Sequence, residues 1–197
     1  MRVAIFGGSF NPPHTAHVLA ARYALEAGFD KVLAVVVHTH AFAKQLASFE
    51  HRVRMCELAF VGLERVEVSR IEQSLPAPNY TLTTVQAIAA AHPDWQLRLL
   101  VGSDVLKDVH AWHAFDEVVK RAPLLVLGRA DDGGVTEVAY HGIVQAELPR
   151  VSSSEVRRAL ALVSNGSATS GEREWLALHV PKGVLDYALE HHLYDDG

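Results

Sequence analysis

Two histidines, His14 and His17, follow a glycine-rich turn in the segment Gly7-Gly8-Ser9-Phe10-Asn11-Pro12-Pro13-His14-Thr15-Ala16-His17. Three residues apart at the start of a helix, they put both imidazoles on one side, facing one pocket. An imidazole can donate a hydrogen bond to a phosphate oxygen, and an imidazolium also neutralises charge. Gly7 and Gly8 let the main chain approach a ligand closely. Free N–H groups and the positive end of a helix attract anions. The competing reading of the pair is a helix cap plus a packed core histidine, the commoner fate of an isolated H-x-x-H. Zinc is weaker: companions at ligand spacing are missing, and the lone Cys56 falls inside a helical pattern. Neither G-x-x-x-x-G-K-[ST] nor a G-x-G-x-x-G after a strand occurs, so the common phosphate loops are out.

A second polar cluster stands late in the chain, at Arg150-Val151-Ser152-Ser153-Ser154-Glu155-Val156-Arg157. Serines at a helix start cap it and leave amides pointing outward. A guanidinium in the first turn adds a fork suited to phosphate. Taken alone, S-S-S-E is as readily a capping box with a solvated arginine.

These groups need elements to hold them, and the chain supplies them in alternation. Arg2–Phe6, Lys31–Val37, Gln96–Val101 and Pro123–Leu127 are continuous apolar runs, as strands buried on both faces of a parallel sheet would be; Val66–Ser69 is weaker. Helical patterns fall at His17–Ala27, Phe49–Leu63, Thr81–Ala91, Ser103–His110, Phe115–Arg121, Ser154–Leu162 and Gly183–His192. The alternation predicts an α/β fold: a Rossmann-like, doubly wound parallel sheet with helices on both faces. Asp131–Gly134 reads as a turn and Ser164–Gly171 as the most linker-like stretch. The expectation is one domain over 1–197, with 163–197 a short C-terminal helical subregion.

Of the 197 residues, 49% are hydrophobic and 21% charged, enough for a sizeable core and unlike a disordered chain. A net charge of −5 argues against a broad nucleic-acid surface, so an anionic substrate needs a local cluster of donors. No apolar run approaches the roughly 20 residues of a membrane span, and no signal-peptide pattern opens the chain. A single cysteine suits a reducing compartment. A cytoplasmic protein without membrane or nucleic-acid partners is expected.

The first segment resembles the (H/T)-x-G-H signature of the nucleotidyltransferase superfamily, and more narrowly the G-G-[ST]-F-[DN]-P-x-H-x-G-H loop of the nicotinate/nicotinamide mononucleotide adenylyltransferases. Ala16 stands where the pattern has glycine, which an alanine can replace only at negative φ. Arg150–Arg157 resembles the family's I-S-S-T-x-[IV]-R. Pro78-Asn79-Tyr80-Thr81 resembles its P-S-Y-T, Val101-Gly102-Ser103-Asp104 its [IV]-G-x-D, and Leu125–Arg129 its strand ending in arginine. His110-Ala111-Trp112-His113 corresponds to a segment whose Trp lies against the nicotinate ring, and Val184–Tyr194 to the closing helix with its H-x-L-Y ending. Where many nicotinate-preferring members carry P-N-x-x-P-P-H-[RK], this chain has Val37-His38-Thr39-His40-Ala41-Phe42-Ala43-Lys44, which leaves the pyridine preference open.

The resemblance implies adenylyl transfer from ATP to a pyridine mononucleotide in NAD biosynthesis. His14, His17 and Arg157 would be catalytic. Gly7, Gly8, Ser9, Phe10, Gly102, Asp104, Arg129, Ser152, Ser153 and Ser154 would join His17 and Arg157 around ATP. Asn11, Lys44, Tyr80, Thr81, Trp112 and His113 would hold the mononucleotide. Mg²⁺ would enter with ATP, without a dedicated protein metal site. Family members are often homo-oligomers. Alternatives carried forward are another superfamily enzyme such as a pantetheine-phosphate adenylyltransferase, and a non-catalytic nucleotide sensor; a class I aminoacyl-tRNA synthetase shares the loop, but the chain is too short and acidic for it.

Overall fold

The computed structural model describes residues 1–39, 46–103, 106, 112–128, 143–145 and 148–195. Six strands, β1 (Arg2–Gly8), β2 (Lys31–Val36), β3 (Val66–Ser69), β4 (Gln96–Gly102), β5 (Leu124–Gly128) and β6 (Ile143–Gln145), form one sheet in the order β3-β2-β1-β4-β5-β6. Every neighbouring pair is parallel. The chain first builds outward from β1 to β3, then returns to place β4 on the free side of β1. That reversal opens a crevice at the carboxyl ends of β1 and β4, where sheets of this topology bind ligands.

Both sheet faces are covered, which is why the strands read as unbroken apolar runs. On one face, Ala4, Val32, Ala34, Val36 and Leu100 pack against α1 (Thr15–Glu26) and α2 (Phe49–Ala59) through Ala21, Ala24, Val53 and Cys56. On the other, Val3, Ile5, Leu33, Leu97, Leu99 and Val126 meet α3 (Thr81–Ala91) and α4 (Phe115–Arg121) through Val85, Ile88 and Val118. A third cluster joins α5 (Ser153–Ser164), α6 (Ser170–His179) and α7 (Lys182–Glu190) to the outer side of α1 and α2, with Leu160, Leu176, Val180 and Val184 around Met55 and Ala16. The C-terminal helices therefore share a core with the body of the molecule.

The stretch read as a linker is a tight turn between two helices. α5 runs on to Ser164, and Thr169 caps α6: its hydroxyl accepts the Glu172 N–H at 3.3 Å while the Glu172 carboxylate accepts the Thr169 N–H at 2.7 Å. β6 and the short 3-10 helix Ile71–Ser74 carry too few residues to show a period and have no counterpart among the expected elements. Most of the helix expected at Ser103–His110 and the turn at Asp131–Gly134 lie outside the described residues.

Candidate active site

The glycine-rich segment leaves β1 and turns into α1. Phe10 takes the left-handed region at φ 48°, folding its ring back between Phe6 and Phe60. A Cβ on Gly8 would stand 3.1 Å from that ring, which would have to give by a few tenths of an ångström to admit it. Ala16 lies inside α1, where φ is negative, and its methyl is buried in the third cluster with Met55 and Val151. The alanine therefore faces the core, and the departure from the glycine of the motif is accommodated.

His14 is the residue before the first turn of α1 and His17 the third residue within it. Their rings are in contact, tilted by 36° with centroids 3.8 Å apart. The His14 N–H donates to His17 Nδ1 at 3.1 Å. A nitrogen that accepts from a main-chain N–H carries no proton, so neutral His17 holds its proton on Nε2. Burial against Phe6 and Phe10, and then the neighbouring His14, hold the His17 pKa well below the usual 6.5. Of the two forms an imidazole can take, the lowered pKa leaves His17 the neutral donor at physiological pH.

The late serine cluster lies against the early loop. Ser153 Oγ donates to the Pro12 carbonyl at 2.9 Å, and Arg157 Nη1 to the Asn11 carbonyl at 2.9 Å, with Nη2 reaching Ser154 Oγ at 3.2 Å. Two helix N-termini, those of α1 and α5, thereby converge. Between them lies an open cleft of about 560 Å³ lined by Ser9, Phe10, Asn11, His17, Leu46, Ser153, Ser154 and Arg157. Such a site combines outward N–H groups, hydroxyls, an imidazole donor and a guanidinium, the equipment of a polyanion cradle. Ser152 is engaged differently: it forms a capping box with Glu155, its hydroxyl accepting the Glu155 N–H at 3.2 Å.

A second cavity, about 270 Å³, opens beside the first. Gly7, Gly8 and Val101 from the strand ends form its floor, and Glu72, Asn79, Thr81, Thr84 and Trp112 its walls. Ser9 lines both cavities. Trp112 and Thr81, expected around the mononucleotide, line this second cavity, whereas Asn11, expected with them, lines the first. Tyr80 and His113 pack on each other with tilted rings at 4.6 Å without lining either cavity, Tyr80 being exposed. Gly102 ends β4 at the crevice without lining either cavity. Lys44, Asp104 and Arg129 lie outside the described residues.

Two buried charged residues that the sequence reading missed support these walls. Arg52, 2% exposed, donates to the carbonyls of Ala47, Ser9 and Val37 at 2.9, 3.0 and 2.7 Å. Glu72, 5% exposed, accepts from Thr84 Oγ1 at 2.8 Å and from the His38 N–H at 3.1 Å; burial pushes its carboxyl up from the usual range. Asn79 completes the network, accepting the Thr39 N–H at 2.8 Å. A charged residue at a helical core position, such as Arg52 between apolar turns of α2, is the signal that could have found them. Cys56 is buried, and burial raises its thiol pKa, which disfavours the nucleophilic thiolate.

The parallel sheet of this order is an α/β fold with a histidine-bearing loop at its crevice. Residues 5–159 match the cytidylyltransferase-like family model. The chain is 37% identical over 98% of its length to the probable nicotinate-nucleotide adenylyltransferase of Anaeromyxobacter dehalogenans, covering 96% of that protein. It is 36% identical to the protein of the same name from Solibacter usitatus, over 99% of this chain and all of that one. Among solved structures, the nicotinic acid mononucleotide adenylyltransferase of Plasmodium falciparum, complexed with NaAD, superposes with a TM-score of 0.75 at 19% identity, covering 100% of this chain and 98% of that one, a likeness of fold. The chain belongs to the cytidylyltransferase-like family and, within it, to the nicotinate-nucleotide adenylyltransferases.

Proposed function

We propose that the protein transfers the adenylyl group of ATP to nicotinate mononucleotide, giving deamido-NAD and pyrophosphate. The observation that carries this reading is the pair of adjoining cavities sharing Ser9, one built for a polyanion and the other walled by Trp112 and Thr81. The names of the relatives favour nicotinate over nicotinamide.

A 5′-phosphate has its second pKa near ~6 and is already largely ionised at neutral pH, so no general base is needed. One of its oxygens bonds to the α-phosphorus of ATP as the bond to the bridging oxygen breaks in line, and pyrophosphate leaves. The protein aligns two mutually repelling anions and stabilises charge on the phosphoryl oxygens. In this reading His17 Nε2–H donates to the α- or β-phosphate, and His14 holds the His17 ring from the helix cap. Ser153, Ser154 and Arg157 receive the departing pyrophosphate. Gly7, Gly8 and Ser9 let the two substrates meet. Trp112 stacks on the pyridine ring, and Thr81 lies beside it. Tyr80 and His113, packed on each other outside both cavities, are assigned no contact with the ring in this reading. Mg²⁺ would enter with ATP and would neutralise part of the phosphate charge. The lining of the anion cleft contains no carboxylate among the described residues, which suits a metal carried by its nucleotide.

Purified protein mixed with ATP, Mg²⁺ and each mononucleotide should release pyrophosphate, faster with the nicotinate form. Absence of release with both would overturn the reading, and a faster nicotinamide reaction would overturn the preference.

A further inference from the structure

The carboxy-terminal turn makes a contact that the transfer chemistry set out above does not employ. After α7 the His192 N–H donates to the Leu189 carbonyl at 3.2 Å and the Leu193 N–H to the Ala188 carbonyl at 2.9 Å, with His192 left-handed at φ 53°. This is a Schellman stop. Tyr194 follows, also left-handed at φ 74°, a conformation that non-glycine residues hold only where their surroundings impose it. The chain doubles back, the Tyr194 ring packs on the third cluster, and its hydroxyl donates to Asn11 Oδ1 at 2.9 Å, across 183 positions of sequence. Burial raises the phenol pKa, so the hydroxyl keeps its proton.

Asn11 is 2% exposed and collects three donors. The Tyr194 hydroxyl and the Ala47 N–H, at 2.9 Å, share Oδ1, while Arg157 takes the main-chain carbonyl. Two donors on one amide oxygen decide which way the amide faces, because the flipped amide would set its NH₂ against both. With Oδ1 held, Nδ2 is the remaining polar group of a side chain that lines the anion cleft. We propose that Tyr194 is a positioning residue for adenylyl transfer. Its hydroxyl orients the Asn11 amide so that the NH₂ donates to the pyrophosphate portion of the nucleotide. This inference rests on the adenylyl-transfer reading and deepens it.

Tyr194→Phe removes one oxygen and keeps the ring. The affinity for magnesium pyrophosphate, measured by calorimetry, should fall about three- to tenfold, the scale of one hydrogen bond, and kcat should fall alongside while KM for the mononucleotide holds. In an Asn11→Ala background the same change should have no further effect on pyrophosphate affinity. Asn11→Asp keeps the acceptor for Tyr194 and Ala47 but replaces the donor with an oxygen that repels an anion, so it should lose more pyrophosphate affinity than Tyr194→Phe. Wild-type pyrophosphate affinity in either Tyr194→Phe or Asn11→Asp overturns the proposal, as does an undiminished Tyr194→Phe effect in the Asn11→Ala background. Pyrophosphate binding is read without turnover. A wild-type protein that binds it yet transfers no adenylyl group fails the functional reading alone.

Discussion

In the proposed reaction His17 is a hydrogen-bond donor, and its place against two phenylalanine rings keeps it neutral. Its replacement by alanine should lower kcat about 10²–10³-fold in the pyrophosphate-release assay, with a far smaller change in KM for the mononucleotide. The depressed pKa also has a stability consequence. Below about pH 6.5 the unfolded chain takes up a proton on this residue that the folded chain refuses. The contribution of neutral His17 is thus complete above that pH and is lost as pH falls toward its lowered folded pKa. Chemical denaturation between pH 8 and pH 5 should show a steeper loss of stability in the wild type than in His17→Ala. Trp112, in the smaller cavity and edge-on to Phe115 at 6.0 Å, is the complementary test. Trp112→Ala should weaken mononucleotide binding, measured calorimetrically, and leave ATP affinity nearly unchanged. Equal losses would assign the residue to packing.

The elements were far more legible than their contacts. The strand runs lay open because both faces of each inner strand are buried, so no polar alternation interrupts them: Lys31–Val37 was expected and Lys31–Val36 observed. Phe115–Arg121 matches at both ends, since Ala122 and Pro123 leave no room to continue. α6 escaped because Ser164–Gly171 is rich in turn formers, of which Thr169 and Ser170 are the cap and first residue of a helix. Within the site, His14, His17 and the serines of α5 stood out as local clusters, and it was the resemblance to a family that joined them into one candidate site. Arg52 on Ser9 and Tyr194 on Asn11 did not stand out, because each joins positions that only the tertiary fold brings together. The capping box of α6 offers a clean test at this scale. Thr169→Ala, remote from both cavities, should reduce stability by about 1 kcal/mol and leave kcat unchanged, read by thermal melts and turnover on the same sample.

Over the whole molecule, the third cluster decides whether the C-terminal helices are an appendage or part of the body. Leu176, Val180 and Val184 are all but fully buried, and their partners include Met55 on α2 and Ala16 on α1. Each such side chain contributes about 1.5–3 kcal/mol on burial. Three of them approach the net stability of an ordinary domain. A chain ending at Gly166 should therefore lose its cooperative thermal transition, whereas the full chain should melt in a single step by calorimetry and circular dichroism. A truncated chain with a sharp transition near the wild-type temperature would make 163–197 a separable unit. The bonds from Ser153 and Arg157 to the early loop span 141 and 146 positions, and that from Tyr194 spans 183. During synthesis the segment that emerges from the ribosome first must wait for nearly all the rest before its far wall arrives, so a stalled nascent chain would carry the histidines yet have no grip on a nucleotide.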